Sequence, residues 1–519
     1  MTKNKFLLKG AAILTLAGLC SKVLGFLYRI FLSNLIGAEG MGTFQLILPI
    51  FTFCVSLCSG GIQIAVSRFV AESKNKGQCL GVLKASLIMS GTFSVATAAV
   101  LYCFAQNVAI IFLHDSNYAR MLEYIAFAVP MAAFHSCIIG YYFGVKNTVI
   151  PAVAQILEQV FKFISLYVIS LVFIGSHREI SAEQAVICLL ISEIAGTLFL
   201  FAAVYTTRLS VISQQPGNVI SRTLHIKLRN TWSDIKQLFS VAYILTINKV
   251  MLTLLQSAEA IIVPIVLVKY GLSRTESLSI YGILTGMALP VIAFPSALIT
   301  SISMMIMPMV AEANVSDNKS SVKHSANVST YASCVLGIFF IGIFLYFGDF
   351  VGGTIFNQPL AGEYIKNLAW LCPFMYLSIT LGSILHGLGK TTTTFVHNLI
   401  SSLIKIGFLW FLVPQIGIIG YFWGILISTL VTTFLHAYAV SMCIDFDFST
   451  LNYIVKPALW LGISIGAGMF IENITNVIFS SIHFSGFLSQ MISFIICGGF
   501  ITIVFAGLMI ISLRKRRSH

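Results

Sequence analysis

Gln184–Thr206 reads QAVICLLISEIAGTLFLFAAVYT, with one charged residue, Glu193, in the whole stretch. As a helix it would reach about 35 Å, enough to cross a hydrocarbon core about 30 Å thick. The same texture recurs on both sides. Apolar stretches fall at 10–36, 43–66, 80–106, 121–144, 148–174, 239–268, 278–308, 328–348, 364–388, 392–413, 417–442, 453–473 and 486–513. With 184–206 they make about fourteen spans. Turn residues and charges gather between them, as in AESKNKGQ (71–78), GSHREIS (175–181) and NVSDNKSS (314–321).

Composition agrees. Of 519 residues, 57% are hydrophobic and 9% charged, against about 25% charged in a soluble domain, and the mean hydropathy is +0.93. The expected fold is an all-α polytopic membrane protein. Its 11 cysteines lie mostly inside apolar runs and show neither disulfide nor zinc spacing. Met1–Cys20 imitates a signal peptide, but Leu19 interrupts the lipoprotein cleavage pattern and the apolar run continues to Ile36, so it reads as an uncleaved first helix.

An even number of spans places both termini on one side. Loops and adjoining span ends on that side carry 21 Lys and Arg, while the other side carries Arg120, Arg178, Lys269, Arg274 and Lys366. Positive charge is retained in the cytoplasm, so both termini are expected there. This asymmetry accounts for the net charge of +13 without a nucleic-acid partner.

The halves repeat. Pro49, Phe53 and Val70-Ala71-Glu72 find Pro290, Phe294 and Val310-Ala311-Glu312 at offsets of 240–241; Pro130, Lys146 and Lys162 find Pro373, Lys390 and Lys405 at 243–244. Spans one to six therefore repeat as seven to twelve, with two spans appended. The expected organisation is an N-lobe (1–212), a cytoplasmic linker (213–238), a C-lobe (239–444), and spans thirteen and fourteen with a basic tail (445–519). Six is even, so the lobes would be related by an axis along the membrane normal, with a substrate site between them. Ala71, Glu72, Ala311 and Glu312, at span ends on the cytoplasmic side, are the candidate gate.

Five basic residues lie away from the span ends, Lys22, Arg29, Lys162, Lys249 and Lys405, with three acids, Glu158, Glu193 and Glu259. Facing lipid, each would cost about 2.5–3.5 kcal/mol, so they are expected to face protein or a water-filled cavity. Lys22, Gly25 and Arg29 share one helical stripe; Lys249, Thr253 and Gln256 form another. Lys162 and Lys405 are repeat mates, and two ammonium groups facing one cavity would bind an anion. Simpler readings stand beside this: Arg29 and Lys249 snorkelling to an interface, and Glu158 pairing with Lys162 at i, i+4. His135 and His386 read as lone core histidines. Gly389-Lys390-Thr391 lacks the first glycine of a phosphate loop, Asp445-Phe446-Asp447 has no catalytic domain around it, and Gly462 and Gly466 fit helix packing. No catalytic or metal-ligating constellation emerges.

Lys22-x-x-Gly25-Phe26-x-x-Arg29, followed by Ile36-Gly37-x-Glu39-Gly40-x-Gly42, resembles the opening of the polysaccharide-transporter branch of the multidrug/oligosaccharidyl-lipid/polysaccharide exporter superfamily. Tyr281-Gly282-x-x-x-Gly286-Met287-Ala288-x-Pro290, Phe294-Pro295 and Gly387-Leu388-Gly389-Lys390 resemble its C-terminal lobe. Length, span number and motif order are similar to the stage V sporulation protein B subgroup. The resemblance implies a flippase of the bacterial cytoplasmic membrane that carries undecaprenyl-diphosphate-linked sugars, such as the peptidoglycan precursor lipid II, to the outer leaflet by alternating access. It implies a cationic cavity for the diphosphate and sugar, an apolar groove for the lipid tail on the last two spans, and wall-synthesis proteins as neighbours. No cofactor is implied; Na+, H+ or the membrane potential would supply coupling. Glu259 stands where a shorter acid is expected, leaving open whether the seventh helix binds substrate or a coupling cation. Two other readings remain: a cation-coupled multidrug exporter of the same superfamily, disfavoured by fourteen spans and the basic excess within them, and a non-transporting scaffold of wall synthesis. A membrane enzyme would need a large outer loop bearing catalytic residues.

Overall fold

A computed structural model describes residues 2–73, 76–175, 179–213, 228–316, 318–444, 449–481 and 486–517. Most of the expected linker, residues 214–227, lies outside the described residues, as do Asp445-Phe446-Asp447 and Ser176. Among the described residues every regular element is helical, and 14 helices are long and apolar enough to cross a membrane. Hydrocarbon offers no hydrogen-bond partner, so the backbone of each span must satisfy itself, which helices do.

Two boundaries differ from the sequence reading. The first two expected spans form one helix, α1 (Thr2–Ser59), bent at Gly37 with φ 69° and ψ −173°. At 1.5 Å per residue it is about 87 Å long, far more than one crossing, so the bend takes the place of a loop. Only glycine adopts this conformation readily. Gly417 makes the same kind of bend, φ 66° and ψ −147°, and both glycines sit in Ile-Gly-x-x-Gly. Conversely, the expected span 278–308 is interrupted by a π-helix, Ile283–Ala288, and by a turn at Phe294-Pro295. Pro290 cannot donate to Gly286 and crowds its carbonyl, which loosens the helix there. Phe294 and Pro295 keep helical dihedrals, so the chain does not reverse.

By its contacts the chain divides into two compact units, Met1–Gly282 and Ile283–His519. The first contains α1, α2 (Ile62–Glu72), α3 (Lys76–Cys103), α4 (Ala119–Gly144), α5 (Val149–Gly175), α6 (Ala182–Ser213), α7 (Leu228–Tyr270) and α8 (Arg274–Gly282). Its core joins Val66, Val70, Ala85, Ile138 and Leu200. Helix α7 is tied to α1 where the Ser257 hydroxyl donates to the Pro49 carbonyl at 2.9 Å, and to the turn before α2 where the Thr246 hydroxyl accepts from Gly61 N–H at 3.0 Å. The sequence repeat and the contact units thus divide the chain at different places, because α7 and α8 pack against helices of the first unit.

The second unit contains α9 (Ser296–Val315), α10 (Lys319–Phe350), α11 (Pro359–Leu368), α12 (Cys372–Gly387), α13 (Thr391–Phe411), α14 (Ile418–Ser441), α15 (Lys456–Ser481) and α16 (Phe487–Arg517). The appended α16 docks on α10 through Phe339–Phe505 and Phe347–Phe494, with ring centroids 5.0 and 4.7 Å apart. Beside them Tyr346 donates its hydroxyl to the Glu472 carboxylate.

The repeat recurs as geometry. A Cβ on Gly144 would lie 2.8 Å from the Ser67 carbonyl and 2.6 Å from Val70 Cβ; on Gly387 it would lie 2.7 Å from the Met307 carbonyl and 2.9 Å from Val310 Cβ. These are the same helix crossing, α2 on α4 and α9 on α12, at offsets of 240 and 243. Gly462 and Gly466 behave otherwise: a Cβ on either meets open space. This corrects their expected packing role. In α15 the close approach is at Gly468, against Ile501.

Candidate functional site

Helix α5 carries Glu158 and Lys162 one turn apart. Lys162 turns toward α1, where its Nζ stands 4.8 Å from the centroid of the Tyr28 ring and 5.9 Å from that of Phe44. An ammonium over aromatic faces keeps part of the stabilisation that water would give. Arg29, next to Tyr28, is close enough to repel Lys162 electrostatically, while Glu193 and Glu158 attract it.

Glu158 turns toward α4. Its Oε1 lies 2.8 Å from Nδ1 of His135, and that nitrogen is buried without a hydrogen bond of good geometry. Glu193, from α6, completes the group: one ligand atom from each of His135, Glu158 and Glu193 falls within 4.8 Å of the others. Gly196, one turn beyond Glu193, leaves room for Glu158, because a Cβ there would sit 2.7 Å from Glu158 Cγ. Three neighbouring helices thus deliver one side chain each. All three are half-buried. His135 is therefore no lone core histidine; its partner lies 23 positions away in sequence, with no local spacing to reveal it.

Of the expected site residues, the structure brings together Arg29, Lys162, Glu158 and Glu193 within the first unit. Lys22 stands two turns before Arg29 on α1 and is exposed. Lys249 is exposed on α7, its Cδ alongside Gly60. Glu259, also on α7, is 8% exposed. Lys405 is half-buried on α13 in the second unit. In the expected gate, Ala71 and Glu72 are exposed at the end of α2, with Glu72 Oε1 2.9 Å from Arg68 Nε; Ala311 is half-buried and Glu312 exposed near the end of α9.

A second polar group escaped the sequence reading. In the second unit the rings of His397 and His436 stand 5.1 Å apart. His436 is 3% exposed, and its Nε2, like Nδ1 of His397, is buried without a hydrogen-bond partner among the described residues. Neither lies at helical spacing from the other, so only the packing of α13 on α14 joins them.

The model of the polysaccharide biosynthesis protein family matches residues 7–314, more than half of the chain, and a MatE model matches 242–411. Stage V sporulation protein B of Bacillus subtilis (strain 168) is 26% identical over 464 residues, 88% of each chain. Lipid II flippase MurJ of the same organism is 24% identical over 422 residues, 77% of this chain and 76% of that one. A solved structure titled lipid II flippase MurJ, inward closed conformation, shares the fold with a TM-score of 0.69 at 13% identity, covering 97% of this chain and 99% of the other. With 14 membrane-spanning helices and a family match over most of its first unit, the chain belongs to the polysaccharide biosynthesis protein family, within the superfamily to which its motifs point.

Proposed function

We propose that this chain is an alternating-access flippase for undecaprenyl-diphosphate-linked saccharide, lipid II or a close analogue, moving it from the inner to the outer leaflet for cell-wall or spore-cortex synthesis. The observation that carries this reading is that Lys162 reaches from α5 to α1, its Nζ 4.8 Å from the ring of Tyr28, the neighbour of Arg29, among membrane-spanning helices. Holding two like charges together in apolar surroundings is costly, and a diphosphate would offset that cost. Arg29 offers a planar donor fork for phosphate oxygens and Lys162 a point charge. Lys22, Lys249 and Lys405 are proposed to extend the cationic path, and Ala71, Glu72, Ala311 and Glu312 to form the cytoplasmic gate. Relatives bear names of flippases and sporulation proteins rather than enzymes, which supports a transport role without catalysis.

Reconstitution tests this. Purified protein in liposomes carrying a fluorescent undecaprenyl-diphosphate saccharide in one leaflet should transfer it to the other. Lys162→Ala and Arg29→Ala should each slow transfer at least about tenfold, the effect of losing one charge-assisted hydrogen bond. Transfer at the unaltered rate in both variants refutes the anion site, and export of cationic drugs without saccharide transfer would establish the multidrug reading instead.

A further inference from the structure

The cluster around α5 has two faces. Arg29 and Lys162 point to an anion; His135, Glu158 and Glu193 converge on one another. With His135 neutral and both carboxylates ionised, the two cations and two carboxylates would cancel in formal charge. We propose that His135, Glu158 and Glu193 form a proton-binding site that fills when an anion occupies Arg29 and Lys162. This inference rests on the function proposed above and adds its charge bookkeeping.

The argument is electrostatic. A diphosphate diester brings two permanent negative charges. Bound at Arg29 and Lys162 it offsets the attraction that Lys162, one turn from Glu158 on α5, exerts on the acids, leaving two carboxylates close together in surroundings of low dielectric, where like charges repel several-fold more strongly than in water. One carboxylate or the imidazole then gains a proton. The geometry suits that event: Glu158 Oε1 and His135 Nδ1 stand 2.8 Å apart, the Nδ1 is buried with no hydrogen bond of its own among the described residues, and an added proton on this pair, or on Glu193 within 4.8 Å, would give it one. Other titratable groups facing the cluster are Tyr28 on α1 and Cys188 on α6; both are neutral at physiological pH in the absence of a strong base, so neither replaces the acids. Linkage is reciprocal: if the anion brings a proton, acidification tightens the anion. The bound pair then crosses with less net charge than the saccharide alone.

The test uses full-length protein in detergent and farnesyl-diphospho-N-acetylglucosamine, a diester whose phosphates do not titrate near neutral pH. Calorimetry in two buffers of different ionisation enthalpy counts the protons taken up. Uptake of about one proton per bound molecule is expected, with affinity rising up to about tenfold per unit of falling pH where the site titrates. Glu193→Gln and Glu158→Gln should each reduce the uptake while binding persists, and Lys162→Ala should weaken binding itself. Because the pH dependence is read on the unaltered protein, a variant that fails to fold does not decide the matter. Binding with no proton uptake and no pH dependence overturns the proton site and leaves the flippase reading standing. Affinity that follows Na+ without proton uptake overturns it equally. Absence of binding overturns the anion site, and the proton linkage with it.

Discussion

At the scale of single residues, chemistry is concentrated in side chains that a membrane would exclude unless they worked. Lys405 is the residue in the second unit with the strongest claim, as the repeat mate of Lys162 in the middle of its span. Lys405→Ala is expected to cut saccharide transfer about tenfold or more, with folded protein at near-normal levels by size-exclusion chromatography. Lys405→Arg should retain more activity than the alanine variant, because a phosphate met by a point charge tolerates another cation. Lys22→Ala should behave as Lys405→Ala does. Unchanged transfer in both alanine variants would remove these two lysines from the path and confine the anion site to Arg29 and Lys162.

Helices meet through their smallest residues. Gly144 and Gly387 stand at the same crossing in the two halves, each with a backbone carbonyl where a Cβ would go. Gly144→Ala and Gly387→Ala should therefore each lower stability by about 1–3 kcal/mol, the cost of forcing extra volume into packed helices, read as a drop in the melting temperature of the purified protein. Gly462→Ala, on the open side of α15, should leave that temperature unchanged. Equal losses in all three would show that Gly462 faces a contact after all. A further tie at this scale is Arg274 at the head of α8. It donates to the His114 and Leu113 carbonyls and lies 3.7 Å from Asp115, and it stacks toward Tyr118. Arg274→Ala should loosen the 113–118 loop, measured as faster hydrogen exchange there, with α1 unaffected.

For the molecule as a whole, the charge asymmetry makes a topological prediction. In a chain freed of native cysteines, cysteine introduced at Ser116 should react with impermeant reagents from outside intact cells, and cysteine at Ser73 or Ser320 should not. Labelling at Ser320 from outside would break the even-span arrangement. The repeat makes a mechanistic one. If the proposed gate at the cytoplasmic mouth is right, a cysteine pair built around Ala71 and Ala311, equivalent positions in the sequence repeat, should crosslink in one state of the cycle, bridging needing Cα atoms within about 7 Å. Transfer should stop on oxidation and return on reduction, and substrate should alter the crosslinking rate by shifting populations. Undiminished transfer in the crosslinked protein would exclude closure at that mouth from the cycle.

Hydrophobicity is written locally, so the sequence by itself determined the membrane class, the number of spans and the repeat. Length and apolar texture decide what crosses a bilayer, and a backbone with no water must be helical there. It also picked out Arg29, Glu158, Lys162 and Glu193, because a charge inside an apolar run is conspicuous without any fold. Only tertiary structure decided how they meet. That Glu158 turns to His135 rather than settling the matter with Lys162 one turn away depends on α4 and α6 packing beside α5, contacts between residues far apart in sequence. The same holds for His397 with His436, and for the bend at Gly37, where the sequence reading expected a loop and a single left-handed glycine suffices. Apolar periodicity records which side of a helix avoids water; among neighbours in lipid nearly every side does, so which helix meets which is left to shape, and to the few polar groups that need one another.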